Sequence, residues 1–214
     1  MAVLGSVIGP ALDAFHSRVS IVVYDVGKVY IKPLAWRTDI FVPPLLAAFF
    51  AVAGALFVLA DANTASDPNN APRSDASPQR QPAPSLPVVA ASFGAVALSN
   101  QLSAVLYTGG VPYSGILAIM TSVGAGLWLV FDGTGWGLLI TAVVAAAAPV
   151  LEACIMLLFG LWHYPAGDVA ILGQSIVSFV PALYLIFTVP VGVMARYLHR
   201  RAAGQGGEDP PASG

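Results

Sequence analysis

The chain has 214 residues, of which 57% are hydrophobic and only 9% are charged. Because soluble domains carry roughly 25% charged residues, this composition excludes an ordinary soluble protein and predicts an integral membrane protein. The formal net charge of −2, without an extended basic cluster, also excludes nucleic acid as an expected partner.

The first forty residues form the least regular of the predicted elements. Titratable residues interrupt their apolar runs at Asp13, His16, Arg18, Asp25 and Lys28. The segment is therefore either a first span sheltered inside a helix bundle or an amphipathic helix at the membrane interface. The distribution of basic residues favours the span, because six spans with a cytoplasmic N-terminus place most arginines inside. We expect six spans and two cytoplasmic termini.

Five further spans follow from the spacing of charged residues. A transmembrane helix needs about 20 consecutive apolar residues to cross the hydrocarbon core. The segments that meet this length are 40–60, 86–106, 112–131, 135–162 and 169–198. The turn at 107–112 contains two glycines and a proline and separates the third span from the fourth, and a turn with Pro and Gly at 163–168 precedes the last.

Together these elements predict an all-α integral membrane protein, a six-transmembrane-helix bundle whose first span is weak. The bundle would be a single domain over residues 1–200. Segment 61–84 is rich in Asp, Asn, Pro, Ser and Ala and has almost no large apolar side chain, so we expect a disordered loop there. Residues 201–214 have a similar composition and predict a disordered cytoplasmic tail.

Catalytic chemistry finds little support in the sequence. Cys154 is the one cysteine, and the three histidines lie in separate regions without the spacing of metal ligands. The glycines at 133–137 are neither preceded by a strand nor followed by the Lys-Ser/Thr of a phosphate-binding loop. We therefore expect no catalytic residue, no metal site, no cofactor and no enzymatic activity.

Uncharged polar residues inside the spans are the first candidates for a binding site. Asn100 and Gln101 lie in the middle of the third span, where an unpartnered polar group costs several kcal/mol, roughly, so both must face protein, water or ligand. On the fourth span Ser114, Thr121 and Trp128 recur every seven residues and share one helix face. We expect this face to point inward, either as packing contacts or as the lining of a lipid site.

Glu152 is the one acidic residue deep inside a predicted span, roughly 15 Å from the boundary at Trp162 by helix rise. A carboxyl group at this depth should be mostly neutral and donate a hydrogen bond. It is either a functional group or a structural link to a neighbouring helix. Proton-coupled transport would need a second intramembrane ionisable residue, which Asp13, His16 or Asp25 would have to supply.

A row of small residues on the third span, Ala91, Ala95, Ser99 and Ser103, would let another helix approach closely. Six apolar helices offer more such packing faces than one bundle needs, so we expect a homo-oligomer.

A carboxylate stands alone at the end of the fourth span. Asp132 directly follows an apolar run and precedes a glycine-rich turn, and it is the first charged residue after Arg80. One structural interpretation is that it caps the N-terminus of the fifth helix through bonds to the first amides.

Several motifs resemble the insulin-induced (Insig) membrane proteins, in the same order and at the same spacing. The resemblance extends from Val42 to Leu198 and suggests a bacterial Insig-like homolog. The matching residues are Val42-Pro43-Pro44, Ala51-Val52-x-Gly54, Asp61, Gly126-Leu127-Trp128-x-x-Phe131-Asp132, Gly160-x-x-x-Tyr164, Pro181 and Gly192-x-x-x-Arg196-x-Leu198.

The resemblance implies a non-enzymatic six-helix protein that binds a sterol within its bundle and, in eukaryotes, retains a sterol-sensing partner in the endoplasmic reticulum. In that family the aspartate that matches Asp132 is needed for partner binding, so the resemblance implies a partner-binding role at the membrane surface. The family's pocket glutamine and phenylalanine fall near Gly115 and Val96, and Glu152 replaces an apolar residue. Seven arginines against two lysines are typical of a GC-rich bacterial genome.

We therefore expect a regulator that binds a sterol or a diacylglycerol-like lipid, in a bacterial cell membrane or, if the source is eukaryotic, in the endoplasmic reticulum. A membrane-protein partner at Asp132 is possible under this interpretation. The expected ligand-binding residues are Asn100, Gln101, Ser114, Thr121, Trp128 and Glu152. A small proton-coupled transporter that uses Glu152 is the alternative, and a purely structural membrane scaffold is the third class.

Overall fold

A computed structural model describes residues 1–32, 36–66 and 84–204. In this part of the chain six α-helices form a bundle, as predicted. Their bounds are α1 Ala2–Ser17, α2 Val42–Ser66, α3 Leu86–Thr108, α4 Tyr113–Phe131, α5 Gly135–Phe159 and α6 Val180–Ala202. Helices α2 to α6 are long and apolar enough to cross a membrane.

Short antiparallel strand pairs occupy two of the connections between helices. The pairs are β1 Val23–Tyr24 with β4 Trp162–His163, β2 Lys28–Ile31 with β3 Trp36–Asp39, and β5 Val169–Ile171 with β6 Gln174–Ile176. The β1–β4 pair joins the α1–α2 connection to the α5–α6 connection. We call the end of the bundle that carries these strands the strand end. Helices α2 and α6 begin there and finish at the opposite end.

Helix α6 is the centre of the bundle. In α6, 67% of the apolar stretch is buried, compared with at most 39% in the other four spans. Small residues make this packing possible. A Cβ atom at Gly192 would lie 2.7 Å from the ring of Phe57 on α2, so only glycine allows the ring to approach. The other spans therefore surround α6 and present apolar side chains such as Leu98 and Leu158 outward to lipid.

Helix α1 packs along α2 but is shorter than the spans. It has 16 residues, whereas a complete crossing takes about 20. Gly5 and Gly9 allow the close contact with α2, because a Cβ atom at Gly5 would lie 2.7 Å from Phe50 and one at Gly9 would lie 2.8 Å from the Cβ of Leu46. The N-terminal segment is thus the sixth helix of the bundle, and its length is less than that of a full span.

Four predicted boundaries differ from the structure, the first being the end of the fifth span, since α5 ends at Phe159 and residue 162 belongs to β4. The predicted last span began at 169, but residues 169–176 form the β5–β6 hairpin, which turns at Gly173 with φ +79°, and α6 begins only at Val180. Helix α2 continues through Asp61 to Ser66, so the predicted loop begins later than 61, and its part at 67–83 lies outside the described residues. The predicted tail likewise begins after α6 ends at Ala202, and residues 205–214 lie outside the described part.

Candidate functional site

A cavity of about 200 Å³ lies in the strand-end half of the bundle. Helices α1, α2, α5 and α6 surround it, and the β1–β4 pair covers it. Most of its wall is apolar. The apolar lining includes Val42, Leu45, Leu46, Phe49, Leu151, Ile155, Val180, Leu183 and Phe187. Leu151 on α5 is 62% exposed, so the cavity reaches the lipid-facing surface of the bundle beside this residue.

Glu152 is the centre of the polar part of the wall. The hydroxyl of Tyr164 donates to its Oε2 atom at 2.5 Å, and the hydroxyl of Tyr184 donates to its Oε1 atom at 2.5 Å. Tyr164 follows β4 and Tyr184 lies in the first turns of α6, so the carboxyl group on α5 links three elements. Burial raises the pKa of Tyr164 well above its usual value, which keeps its hydroxyl protonated and able to donate.

A second carboxyl group, Asp13 on α1, faces the same cavity. The hydroxyl of Tyr24 on β1 donates a hydrogen bond to it. Burial raises the pKa of Tyr24 well above its usual value, so this phenol also stays protonated. Among the described residues that line the cavity, none is a lysine or an arginine. The wall is thus rich in hydrogen-bonding oxygen atoms and has no guanidinium or ammonium group.

Asn100 lies in the cavity wall where α3 meets α1. Its Nδ2 atom donates to the carbonyl of Leu12 at 3.0 Å. The hydroxyl of Ser103 donates to the Asn100 carbonyl at 2.9 Å and accepts from Nε2 of His16 at 2.7 Å. The small-residue row predicted for close packing on α3 is therefore partly used inside the chain, because Ser99 and Ser103 are buried.

Of the six predicted ligand-binding residues, the structure brings only Asn100 and Glu152 to the cavity. Gln101 accepts a hydrogen bond from the guanidinium of Arg18 and does not line the cavity. Trp128 lies at the opposite end of the bundle, where its Nε1 atom donates to the carbonyl of Thr134 at 3.0 Å.

The prediction that Ser114 and Thr121 point inward is wrong, since both are exposed on the surface of α4. The buried face of this helix consists of Ile116, Met120 and Gly124, which follow one another in steps of four. Each residue advances about 100° around a helix. Thr121 therefore lies about 100° away from Met120, and the seven-residue step brings Ser114 to the same lipid-facing side.

Asp132 belongs to a buried ion cluster at the end opposite the strands. Its Oδ2 atom lies 3.1 Å from Nη1 of Arg196, which also donates from Nε to Oδ2 of Asp61 at 2.7 Å and from Nη2 to Oδ1 at 3.1 Å. The guanidinium lies 5.0 Å from the ring centre of Phe57. We call Asp61, Asp132 and Arg196 the Arg196 triad. It joins the ends of α2, α4 and α6.

Two expectations for Asp132 are corrected by this geometry. The predicted surface position is wrong, because Asp132 is 3% exposed and packed beneath Arg196. The N-cap of α5 is Thr134, whose side chain accepts from the amide of Gly137 at 2.9 Å. Asp132 instead accepts from Thr134, through the amide at 3.1 Å and the hydroxyl at 2.5 Å. A partner-binding role for Asp132 stays a prediction.

Sequence reasoning missed four polar residues that the cavity brings together: Asp13, Tyr24, Tyr164 and Tyr184. Asp13 was considered only as a second ionisable group for transport. A signal was present for Tyr184, because a buried phenol needs a hydrogen-bond partner and Glu152 was the carboxyl group available inside a span. Tyr164 was noticed only as part of an Insig-like motif. The pairing of residues distant in the chain was not deducible from spacing.

The fold defines an integral multi-pass membrane protein, with five helices able to cross the bilayer and a mostly apolar cavity inside the bundle that carries a few polar groups. The chain matches no protein-family model and no curated protein sequence.

Two solved structures share its fold. One is the mycobacterial Insig homolog MvINS from Mycobacterium vanbaalenii, with a TM-score of 0.69, 22% sequence identity, and coverage of 94% of this chain and 93% of that chain. The other is a cross-linked trimer of a cysteine variant of MvINS, with a TM-score of 0.68 and the same identity and coverage. The resemblance to Insig is thereby confirmed at the level of the fold.

Proposed function

We propose that the chain is a non-enzymatic, Insig-like protein of a bacterial cell membrane that binds a neutral lipid in its cavity and acts as a regulator. A sterol or a diacylglycerol-like lipid is the proposed ligand. The observation that carries this proposal is the cavity itself, in which a few converging polar groups stand in an otherwise apolar wall beside a lipid-facing opening. This combination is the usual composition of a small-molecule site.

The size of the cavity supports binding of a lipid head with its chains outside. Pockets that enclose a whole drug-sized ligand measure roughly 300–1,000 Å³, whereas this cavity measures about 200 Å³. The head would lie beside Glu152 and Asp13. The acyl chains or the ring system would leave past Leu151, which is exposed to the membrane.

The polar groups favour a head that carries a hydroxyl and no negative charge. Glu152 and Asp13 offer oxygen atoms as acceptors, and the tyrosine hydroxyls already donate to them. A phosphate or carboxylate head would face two carboxyl groups without a lysine or arginine among the described lining residues. An anionic head would bring only further acceptor oxygens to these acceptor oxygens, whereas the hydroxyl of an alcohol can donate to them, so a neutral alcohol is the better fit.

Mass spectrometry of lipid that co-purifies in mild detergent tests the proposal. The wild type should retain a neutral lipid in near-stoichiometric amount, and Glu152→Leu should lose most of it. Thr121→Val is the matched control, because this residue faces outward on α4. If Glu152→Leu and the wild type retained equal amounts of lipid, the cavity would not be the lipid site.

Proton-coupled transport remains the second candidate because of one observation. Asp13 and Glu152, the two ionisable groups such a transporter would need, face the same cavity. Proteoliposomes loaded with a pH-sensitive dye test it. Proton flux that disappears in Asp13→Asn and in Glu152→Gln would establish transport, and the absence of flux in the wild type would eliminate it.

Homo-oligomerisation is also part of the proposal. The cross-linked MvINS structure is a trimer. In this chain the outer face of α3 exposes Ala90 and Gly94, one helical turn apart, and a Cβ atom at Gly94 would meet nothing within 4 Å in the part of the chain that the structure describes. This flat patch would admit a helix of a second copy.

Partner binding by a regulator would use the end of the bundle that carries the Arg196 triad. Since Asp132 is buried, it would influence a membrane-protein partner by holding Arg196 in place, while Asp61, whose side chain is 40% exposed, would be the accessible member of the triad.

A further inference from the structure

The β2–β3 hairpin lies at the strand end, outside the cavity, between α1 and α2. The whole of β2 is exposed. Its partner β3 packs against the end of α1, where the hydroxyl of Ser17 donates to the carbonyl of Arg37 at 2.5 Å. The hairpin leads directly into α2, the first long span, at Val42. It therefore lies at the level where the bilayer headgroups meet the bundle.

One face of the hairpin is basic. In the register Tyr30 pairs with Arg37, and Lys28 pairs with Asp39, so these four side chains share a face. Asp39 is fully buried, and its Oδ1 atom accepts from the amide of Phe41 at 2.6 Å. The exposed part of the face thus consists of Lys28, Tyr30 and Arg37.

These residues border a surface depression of about 290 Å³. Among the described residues the side chain of Arg37 makes one long hydrogen bond, 3.4 Å from Nη1 to the hydroxyl of Ser20. The depression therefore offers an ammonium group and a guanidinium group to an anion.

Exposed apolar side chains alternate with these basic ones along β2 and continue into the start of α2. Val29 and Ile31 on the hairpin are 39% and 42% exposed, and Ile40 and Phe41 at the start of α2 are 58% and 39% exposed. Exposed apolar and aromatic groups next to basic ones are typical of segments that enter the interface of an anionic membrane. A soluble anion would use the charges but not these side chains.

We propose that the hairpin binds the phosphate of an anionic phospholipid, with Lys28 and Arg37 contacting the phosphate and the neighbouring apolar side chains contacting the upper part of the acyl chains. This site adjoins the cavity, with which it shares Val22 and Tyr24 in the wall, but it takes an anionic lipid, because the cavity wall carries carboxyl groups and the hairpin carries cations. It does not depend on the proposed function of the cavity.

Native mass spectrometry of the full chain in detergent, titrated with phosphatidylglycerol or phosphatidylcholine, tests the site. The wild type should bind phosphatidylglycerol more tightly. Each basic residue near anionic headgroups contributes about a factor of five to the affinity, so Lys28→Gln with Arg37→Gln should weaken binding at least tenfold. The double variant Lys28→Arg with Arg37→Lys retains both charges and should bind as the wild type does.

Three results would overturn the proposal. One is equal affinity of the wild type for the two lipids, and another is undiminished phosphatidylglycerol binding by the glutamine double variant. The third is displacement of the bound lipid by millimolar inorganic phosphate, which would identify a site for a soluble anion. Should the glutamine variant fail to fold, the salt dependence of binding by the wild type decides, since lipid held by two cations must be released as sodium chloride rises.

Discussion

Arg196 on α6 lies 3.1 Å from Asp132, and both side chains are buried at the end of the bundle opposite the strands. This pair accounts for the isolated carboxylate between the apolar fourth span and the glycine-rich turn. The charge neutralises a guanidinium that enters the bundle among α2, α4 and α6. A buried ion pair is costly to break, because the remaining charge is left without compensation.

We expect Asp132→Asn to destabilise the fold and to leave lipid binding unchanged. The substitution preserves the shape of the side chain but removes the negative charge beneath Arg196. Because Arg196 retains its ion pair with Asp61, the free energy of unfolding should fall by roughly 1–3 kcal/mol. Thermal unfolding in detergent measures it. Asp61→Asn is the control and should cost less, since this carboxylate is partly exposed. Loss of co-purified lipid from Asp132→Asn at unchanged stability would contradict this assignment.

The two tyrosines on Glu152 provide a finer test of the cavity. Tyr164→Phe and Tyr184→Phe each remove one hydrogen bond of 2.5 Å to the carboxyl group. Each bond holds the carboxyl group in place by about 1 kcal/mol net, and a carboxyl group that is free to turn must be ordered again when lipid binds, so each variant should bind neutral lipid up to about fivefold more weakly. Titration of delipidated protein with diacylglycerol measures the change. Tyr197→Phe, on the far part of α6, should bind as the wild type does; equal weakening in all three variants would indicate a general loss of stability.

The sequence predicted the helices better than the connections. Spacing of charges, together with the turn at 107–112, located α3 to α5 to within a few residues and α2 except for its last turns, because an uncharged stretch of about 20 residues has few alternatives to a membrane span. It assigned 169–176 to the last span, whereas a hairpin forms there. Short exposed strands at a membrane surface have no burial pattern that distinguishes them from the start of an apolar helix.

The candidate site was predicted only in part, and the reason lies in long-range contacts. Glu152 was identified because a deep carboxyl group is unusual, and the cavity confirms that it faces inward. Its partners come from elements 12 and 32 residues away in the chain. Ser114 and Thr121 were misplaced because polarity alone does not define the buried face of a lipid-exposed helix, on which the small residue Gly124 decides how closely α6 approaches.

Asn100→Leu should loosen α1 from the bundle. The side chain donates to the carbonyl of Leu12, and leucine would remove that link between α3 and α1. We expect a cysteine at position 12, introduced in a Cys154→Ser background, to react about fivefold faster with a membrane-permeant maleimide in the Asn100→Leu variant, since about 1 kcal/mol is lost. Thr121→Val serves as the control. Unchanged reactivity would show that Asn100 does not hold α1.

Gly94→Leu should reduce self-association without affecting the fold of one copy. A Cβ atom at this position meets nothing within 4 Å among the described residues, so we expect leucine to be tolerated internally, yet it would keep a second helix from approaching the outer face of α3. Light scattering with detergent correction should show a multiple of the 22.0 kDa chain for the wild type and a smaller protein mass for the variant.

Gly126→Leu on α4, which is equally unobstructed, is the matched control and should assemble as the wild type does. A mass of 22.0 kDa for the wild type at every usable concentration would refute the oligomer. If Gly94→Leu assembled normally, the contact between copies would lie on a face other than α3, because a leucine cannot be accommodated between helices that meet at glycine.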